Sequence, residues 1–298
     1  MKLKLLKLPL SMWLATIALL STILFQATAQ AVISCNISAA TITSSYPPNS
    51  PTIITTQASY SITCTRGLII DSTTTTYSVK VNNGGQPTGQ NNNAIFGANK
   101  IRYDFYTNSS CGTQWKGGTT VPSPAQTITM TGLTSTTITQ NFWMCIPATQ
   151  APAAGTYTDS VTMTPTYDLG VLGGTGTVAI NIITPAVCTI SSAPGTISFG
   201  TYTALGSAIT ASTTFASNCS NSLPYTISLD ANSGVAVGLN YTLLLDTTST
   251  GGSNTLNSTG TGTAQTFFIN GTMPANQAGT CVTGTCSGTN THTLTITY

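Results

Sequence analysis

Five sequence landmarks occur twice along the chain in the same order, and this repeat limits the fold more than any other feature. Cys35-Asn36-Ile37-Ser38 returns as Cys188-Thr189-Ile190-Ser191, and each copy is followed by one further cysteine, Cys64 or Cys219. An alternating segment comes next in both, from Tyr77 to Asn82 and from Tyr225 to Asp230. Tyr103-Asp104-Phe105-Tyr106-Thr107-Asn108 is then echoed by Tyr241-Thr242-Leu243-Leu244-Leu245-Asp246. Near the end of each copy, Pro152-Ala153-Ala154-Gly155-Thr156-Tyr157 and the run to Tyr167 correspond to the stretch from Pro274 to Thr280 and the run from His292 to Tyr298. A chain rich in Thr, Ser and Gly produces one such match by chance, but not the set. The repeat implies two domains of one fold.

Both copies predict an all-β structure. Thr, Val, Ile and Tyr alternate in short runs separated by Gly, Asn, Ser and Pro, and no segment after the leader holds a long helical period of apolar residues. Seven or so short strands per copy is the scale of an immunoglobulin-like sandwich. Alternation places one strand face in the core and the other in water. Thr on the wet face keeps β propensity without charge, which suits a chain with only 5% charged residues.

That low charge also excludes functions. There is no Glu, one His (His292) and six scattered Asp, whereas acid-base chemistry needs such groups placed together. A Ser-His-Asp set is conceivable only in that His292 has Ser and Asp elsewhere, and no catalytic residue is assigned. A phosphate-reading surface needs clustered Lys and Arg, and beyond the leader the basic residues are Arg66, Lys80, Lys100, Arg102 and Lys116 alone. Nucleic-acid binding is not expected. Without Lys2, Lys4 and Lys7 the net charge is about −1.

Those three lysines precede a mostly apolar run from Leu8 to Phe25, followed by Ala27-Thr28-Ala29 and Ala29-Gln30-Ala31. The pattern is that of a cleaved export signal over residues 1–31. No later stretch is long and apolar enough to span a bilayer. All eight cysteines follow the leader, an even number suited to an oxidising compartment. Only Cys281 and Cys286 are close in sequence, without paired histidines, so neither a metal nor a cofactor is expected.

At these landmarks the chain resembles the spore coat protein U-like pilin family, the subunits of archaic chaperone-usher pili. The resemblance rests on Cys35-x-Ile-Ser with Cys64, Tyr103 to Asn108 with Trp115 downstream, and Ile146 to Asp159. The second copy matches through Cys188-x-Ile-Ser with Cys219, Tyr241 to Asp246, and the final run to Tyr298. It implies immunoglobulin-like sandwiches that lack a last strand and receive it from a periplasmic chaperone, then from the adjacent pilin subunit, a form of β-augmentation. An outer-membrane usher and a pilus at the cell surface follow from the same likeness. With the repeat, it pairs Cys35 with Cys64 and Cys188 with Cys219, leaving Cys111 for Cys145 and Cys281 for Cys286.

The two copies differ in how that last strand is supplied. After Tyr167, the stretch 177–184 alternates with Val178, Ile180 and Ile182 on one face, as a seventh strand should. Domain 1 (32–184) is therefore expected to be completed in cis. Domain 2 (185–298) is expected to lack its last strand and to accept one. The short stretch between leader and Cys35 is expected to be too small to act as a donor strand. These expectations describe a tip adhesin that mediates attachment to abiotic or host surfaces and biofilm formation; the alternative is a shaft or coat-like subunit without a receptor.

The repeat also points to where a surface would bind. Between Cys64 and Tyr77 the first copy holds a longer insert than the second holds between Cys219 and Tyr225, and the excess contains Leu68, Ile69 and Ile70. The segment after Tyr167 carries Leu169, Val171 and Leu172 among glycines. In a sandwich both loops lie at the pole away from domain 2, where six aliphatics would form an interaction patch. The alternative for Leu68 to Ile70 is an extension of the preceding strand. A third loop is expected near Trp115 to Val121, with Trp115 itself structural.

Overall fold

A computed structural model describes residues 33–115, 125–168, 171–202, 205–282 and 284–298. The leader (1–31), Leu169 and the stretch 116–121 singled out above lie outside the described residues. The described chain is all β, with eleven strands up to Thr184 and eight beyond it.

The first part comprises β1 (Ile33–Ala39), β2 (Ile42–Ser45), β3 (Ile54–Arg66), β4 (Thr74–Val81), β5 (Asn92–Phe96), β6 (Asn99–Tyr106), β7 (Gln126–Thr129), β8 (Thr136–Ile146), β9 (Gly155–Tyr167), β10 (Val171–Gly173) and β11 (Gly176–Thr184). One face runs β10-β1-β3-β8-β6, and the other carries β4, β9, β11 and β2, with β7 on the outer edge of β4. The hairpin of β5 and β6 joins the faces through the pair Ile95↔Thr158. Alternation in the sequence becomes alternation in burial. In β1, Ile33, Cys35 and Ile37 point inward while Ser34, Asn36 and Ser38 are exposed. The core between the faces includes Ile62, Tyr103, Phe105, Phe142, Met144, Tyr157 and Val161. Trp115 stacks among Tyr60, Phe105 and Phe142 and donates from Nε1 to the Val79 carbonyl at 3.0 Å, so its polar end is satisfied inside the core.

The second part comprises β12 (Cys188–Ser192), β13 (Ile209–Cys219), β14 (Pro224–Leu229), β15 (Ser233–Ala236), β16 (Leu239–Asp246), β17 (Thr255–Thr259), β18 (Ala264–Met273) and β19 (Leu294–Thr297). One sheet runs β12-β13-β18-β16-β15 and the other β17-β14-β19. The landmarks occupy equivalent places: β1, β3, β4, β6, β8 and β9 correspond to β12, β13, β14, β16, β18 and β19. Each copy's opening cysteine lies directly opposite its partner, Cys35↔Cys64 and Cys188↔Cys219, and both pairs are bridged. Cys111–Cys145 and Cys281–Cys286 are also disulfides. A separate core gathers Phe215, Tyr225, Ile227, Tyr241, Leu245 and Phe267.

The joint between the sandwiches is polar. The Asn49 amide donates to the Gly262 carbonyl, and the Asn221 amide donates to the Ala151 carbonyl at 3.3 Å. These contacts fix which pole is which. The joint uses the β2–β3 and β8–β9 connections of the first sandwich, so the connections β3–β4, β7–β8 and β9–β10 lie at its far pole. Strand β3 spans the distance, roughly 40 Å at the usual rise per residue.

Candidate functional site

Two surfaces set this chain apart from a pair of closed sandwiches, and the first is an open edge. In the first sandwich β11 pairs antiparallel with β9 along Gly176↔Met163 to Thr184↔Gly155 and parallel with β2 through Ile180↔Ile42 to Ile183↔Ser45. Val178, Ile180 and Ile182 are fully buried. The strand also covers β1 closely: a side chain at Gly176 would collide with Ile37, which is why glycine opens β11.

Among the described residues the second sandwich has no counterpart of β11. Among the described residues β19 pairs only with β14, through Thr226↔Thr297 to Leu229↔Leu294. The stretch 193–200, in the place of β2, forms no ladder, although Ile197 and Phe199 pack half-buried against the second core. The cost appears in the shared Cys-x-Ile-Ser motif. Ile37 is 8% exposed beneath β11, whereas Ile190 is 43% exposed. Leu294 and Ile296, on the inner face of β19, remain only half-buried. An unpaired edge beside incompletely covered aliphatics is a template for strand addition.

The second surface is the far pole of the first sandwich. Strand β3 ends at Arg66 and β4 begins at Thr74, so Leu68, Ile69 and Ile70 lie in the connection and do not extend the strand. Ile69 and Ile70 are 75% and 81% exposed, and Leu68 is also exposed. Leu172 is 64% exposed, while Val171 packs against the core as β10 pairs parallel with β1. The third aliphatic loop at this pole is the β7–β8 connection, with exposed Leu133. The sequence suggests a third loop near Trp115 to Val121; Trp115 lies in the core, in line with its structural reading, and 116–121 lie outside the described residues. The signal for Leu133 was available only as an apolar residue inside Thr131-Gly132-Leu133-Thr134, which has no counterpart in the period-two pattern.

Polar contacts hold these loops. The Arg66 guanidinium donates to the carbonyls of Ile69 and Asp71, the latter at 2.7 Å, and to Gly132 at 3.4 Å. Asp71 Oδ2 accepts from the Leu68 amide at 2.7 Å. Asp168 accepts from the Thr76 hydroxyl and, at 2.7 Å, from the Thr76 amide, and these bonds hold its carboxyl below the ordinary carboxylate range.

The lone histidine lies elsewhere, where strand β19 begins. His292 Nε2 meets Tyr241 Oη at 2.7 Å and Nδ1 meets Asp230 Oδ1 at 3.1 Å, which ties the two sheets of the second sandwich together. The corresponding tie in the first sandwich is Tyr103 Oη donating to Asp159 at 2.7 Å. In that pocket burial, reinforced by the Asp159 charge, pushes the Tyr103 phenol far above its ordinary value. Among the described residues no group of three metal-ligating side chains occurs.

Two immunoglobulin-like sandwiches in series, the first containing its own last strand and the second without one among the described residues, make up a two-domain all-β fold. The family model of the Spore Coat Protein U domain matches residues 21–164. That match ends inside β9, so the strand that closes the first sandwich lies beyond it. No curated protein matches the chain. Among solved structures it is similar to the CsuC-CsuE chaperone-tip adhesion subunit pre-assembly complex from archaic chaperone-usher Csu pili of Acinetobacter baumannii. The identity there is 15%, with 89% of this chain and 100% of that one covered and a TM-score of 0.45. It is also similar to the CupB6 tip adhesin from Pseudomonas aeruginosa, at 10% identity, coverage of 83% and 87%, and a TM-score of 0.41.

Proposed function

We propose that this chain is the tip adhesin of a chaperone-usher pilus, exported through the periplasm and displayed at the cell surface. The division is between an adhesive domain (32–184) and an assembly domain (185–298). The observation that carries the proposal is the contrast between Ile37 and Ile190: one motif, closed by a strand of the same chain in the first domain and open in the second. The first domain's groove is occupied, which leaves the second as the place where a periplasmic chaperone, and then the neighbouring pilin, adds its donor strand. Main-chain hydrogen bonds to β19 would supply affinity and alternate side chains would cover Ile190 and Leu294. The usher then receives the complex as the first subunit of the fibre.

The pole far from the joint faces outward in such a fibre, and its exposed aliphatics are Leu68, Ile69, Ile70, Leu133 and Leu172. Covering an aliphatic side chain fully gains roughly 1.5 to 3 kcal/mol, so several of them meeting an apolar surface supply adhesion without a shaped pocket. Attachment to abiotic or host surfaces, and the biofilm that follows, is the expected outcome. Replacing these five residues by Ser tests it. Piliation should remain and attachment to polystyrene should fall several-fold; attachment equal to the unmodified strain's would refute the adhesive role of this pole.

A further inference from the structure

Arg66 is almost completely buried at the end of β3, at the far pole of the first sandwich. Its planar fork donates to the carbonyls of Ile69 and Asp71 within the β3–β4 connection and crosses to the Gly132 carbonyl of the β7–β8 connection. Asp71, equally buried, closes the same turn by accepting from the Leu68 amide, and the Asp71 amide in turn donates to the Leu68 carbonyl at 3.1 Å. The carbonyls that Arg66 holds belong to the residues that project Ile69 and Ile70 outward, and to the neighbour of Leu133. Stability alone does not account for the arrangement. Arg66 Nε and Asp71 Oδ1 have no hydrogen-bond partner among the described residues, and buried polar atoms left unpaired are costly. An apolar pair of similar volume would fill the space at less cost. The same place after the second cysteine of the other domain is taken by Asn221, which serves the joint.

We propose that Arg66 is a positioning residue for the adhesive pole: it holds the β3–β4 and β7–β8 loops together as one rigid apolar platform for a flat, nonpolar surface. The proposal rests on the adhesive reading of that pole and adds the device that prepares it. Flexible loops carrying the same aliphatics would have to be ordered at each contact, and that ordering would subtract from adhesion. Preorganisation by a buried cation removes the loss without adding any side chain to the contact.

The test compares piliated cells carrying Arg66→Met, Arg66→Lys or the combined Leu68→Ser, Ile69→Ser and Ile70→Ser exchange, on polystyrene, with hydrogen exchange measured on the full-length chains. In Arg66→Met, pili should assemble normally. The Leu68 and Asp71 amides, both hydrogen-bonded within the turn, should exchange about tenfold faster or more, and attachment should fall several-fold. Arg66→Lys, which keeps the charge but not the fork, should lie between the two. Unchanged exchange in Arg66→Met, or faster exchange with attachment equal to the unmodified strain's, overturns the proposal. Loss of pili in both Arg66 variants overturns it as well, because Arg66 would then be needed for folding itself. The triple Ser exchange separates the two levels. If it attaches normally, the adhesive reading fails; if it loses attachment while Arg66→Met keeps it, only the positioning role fails.

Discussion

Ile37 and Ile190 stand at the same position of the same motif and meet different surroundings, which makes them a control built into one chain. Ile37 lies under β11 in a closed core, so Ile37→Asp would bury an unpaired charge and should destabilise the first domain by several kcal/mol, on the order of 4. Ile190→Asp puts the charge at an already open edge. The chain should fold with its unfolding temperature little changed and fail to co-purify with the proposed chaperone, which thermal unfolding and pull-down from periplasm check. Asp104 supplies a prediction in pH. Burial raises its carboxyl above the ordinary value, opposed by Arg102, whose Nε and Nη2 donate to it at 3.2 and 3.0 Å, and by the Asn92 amide. The folded state therefore takes up the proton more readily than the unfolded one. The Asp104 contribution to stability is largest below the ordinary carboxylate value and declines as pH rises through the raised one. Urea midpoints measured from about pH 3 to pH 7 should fall less steeply in Asp104→Asn than in the parent. An identical slope would remove Asp104 as the cause.

At the scale of elements, β11 decides which domain is closed. Its three inward aliphatics, Val178, Ile180 and Ile182, are fully buried. At roughly 1.5 to 3 kcal/mol each they contribute about 5 to 9 kcal/mol, comparable to the whole stability of an ordinary domain. Deleting 176–184 should leave the first domain unfolded and protease-sensitive; a protected first domain would contradict closure in cis. A synthetic peptide with the β11 sequence, added to the full chain, should raise the unfolding temperature of the second domain and leave the first unchanged. The strands themselves were legible in the sequence because period-two alternation follows directly from burial of one face, and β11 was readable because Val178, Ile180 and Ile182 keep that period. What alternation does not encode is where connections meet. The parallel pairing of β2 with β11, the bridge from β5 to β9 and the meeting of the β3–β4 and β7–β8 connections at Arg66 are set by the twist and closure of the sandwich. No local residue pattern marks them. Arg66 was visible only as a lone basic residue after Cys64, since its partners are backbone carbonyls, which every residue possesses.

For the whole molecule the consequence is polarity. One end presents aliphatic loops held by buried polar contacts, the polar joint sits in the middle, and the other domain carries an edge that one more strand would complete. On the proposed reading, the chain begins a fibre and is held in it at one end only. That claim is tested most directly by immunogold labelling of intact cells with antibodies raised against the first domain. Label confined to a single end of each fibre is the predicted result. Label distributed along the fibre would contradict the account and make the chain a repeating shaft subunit.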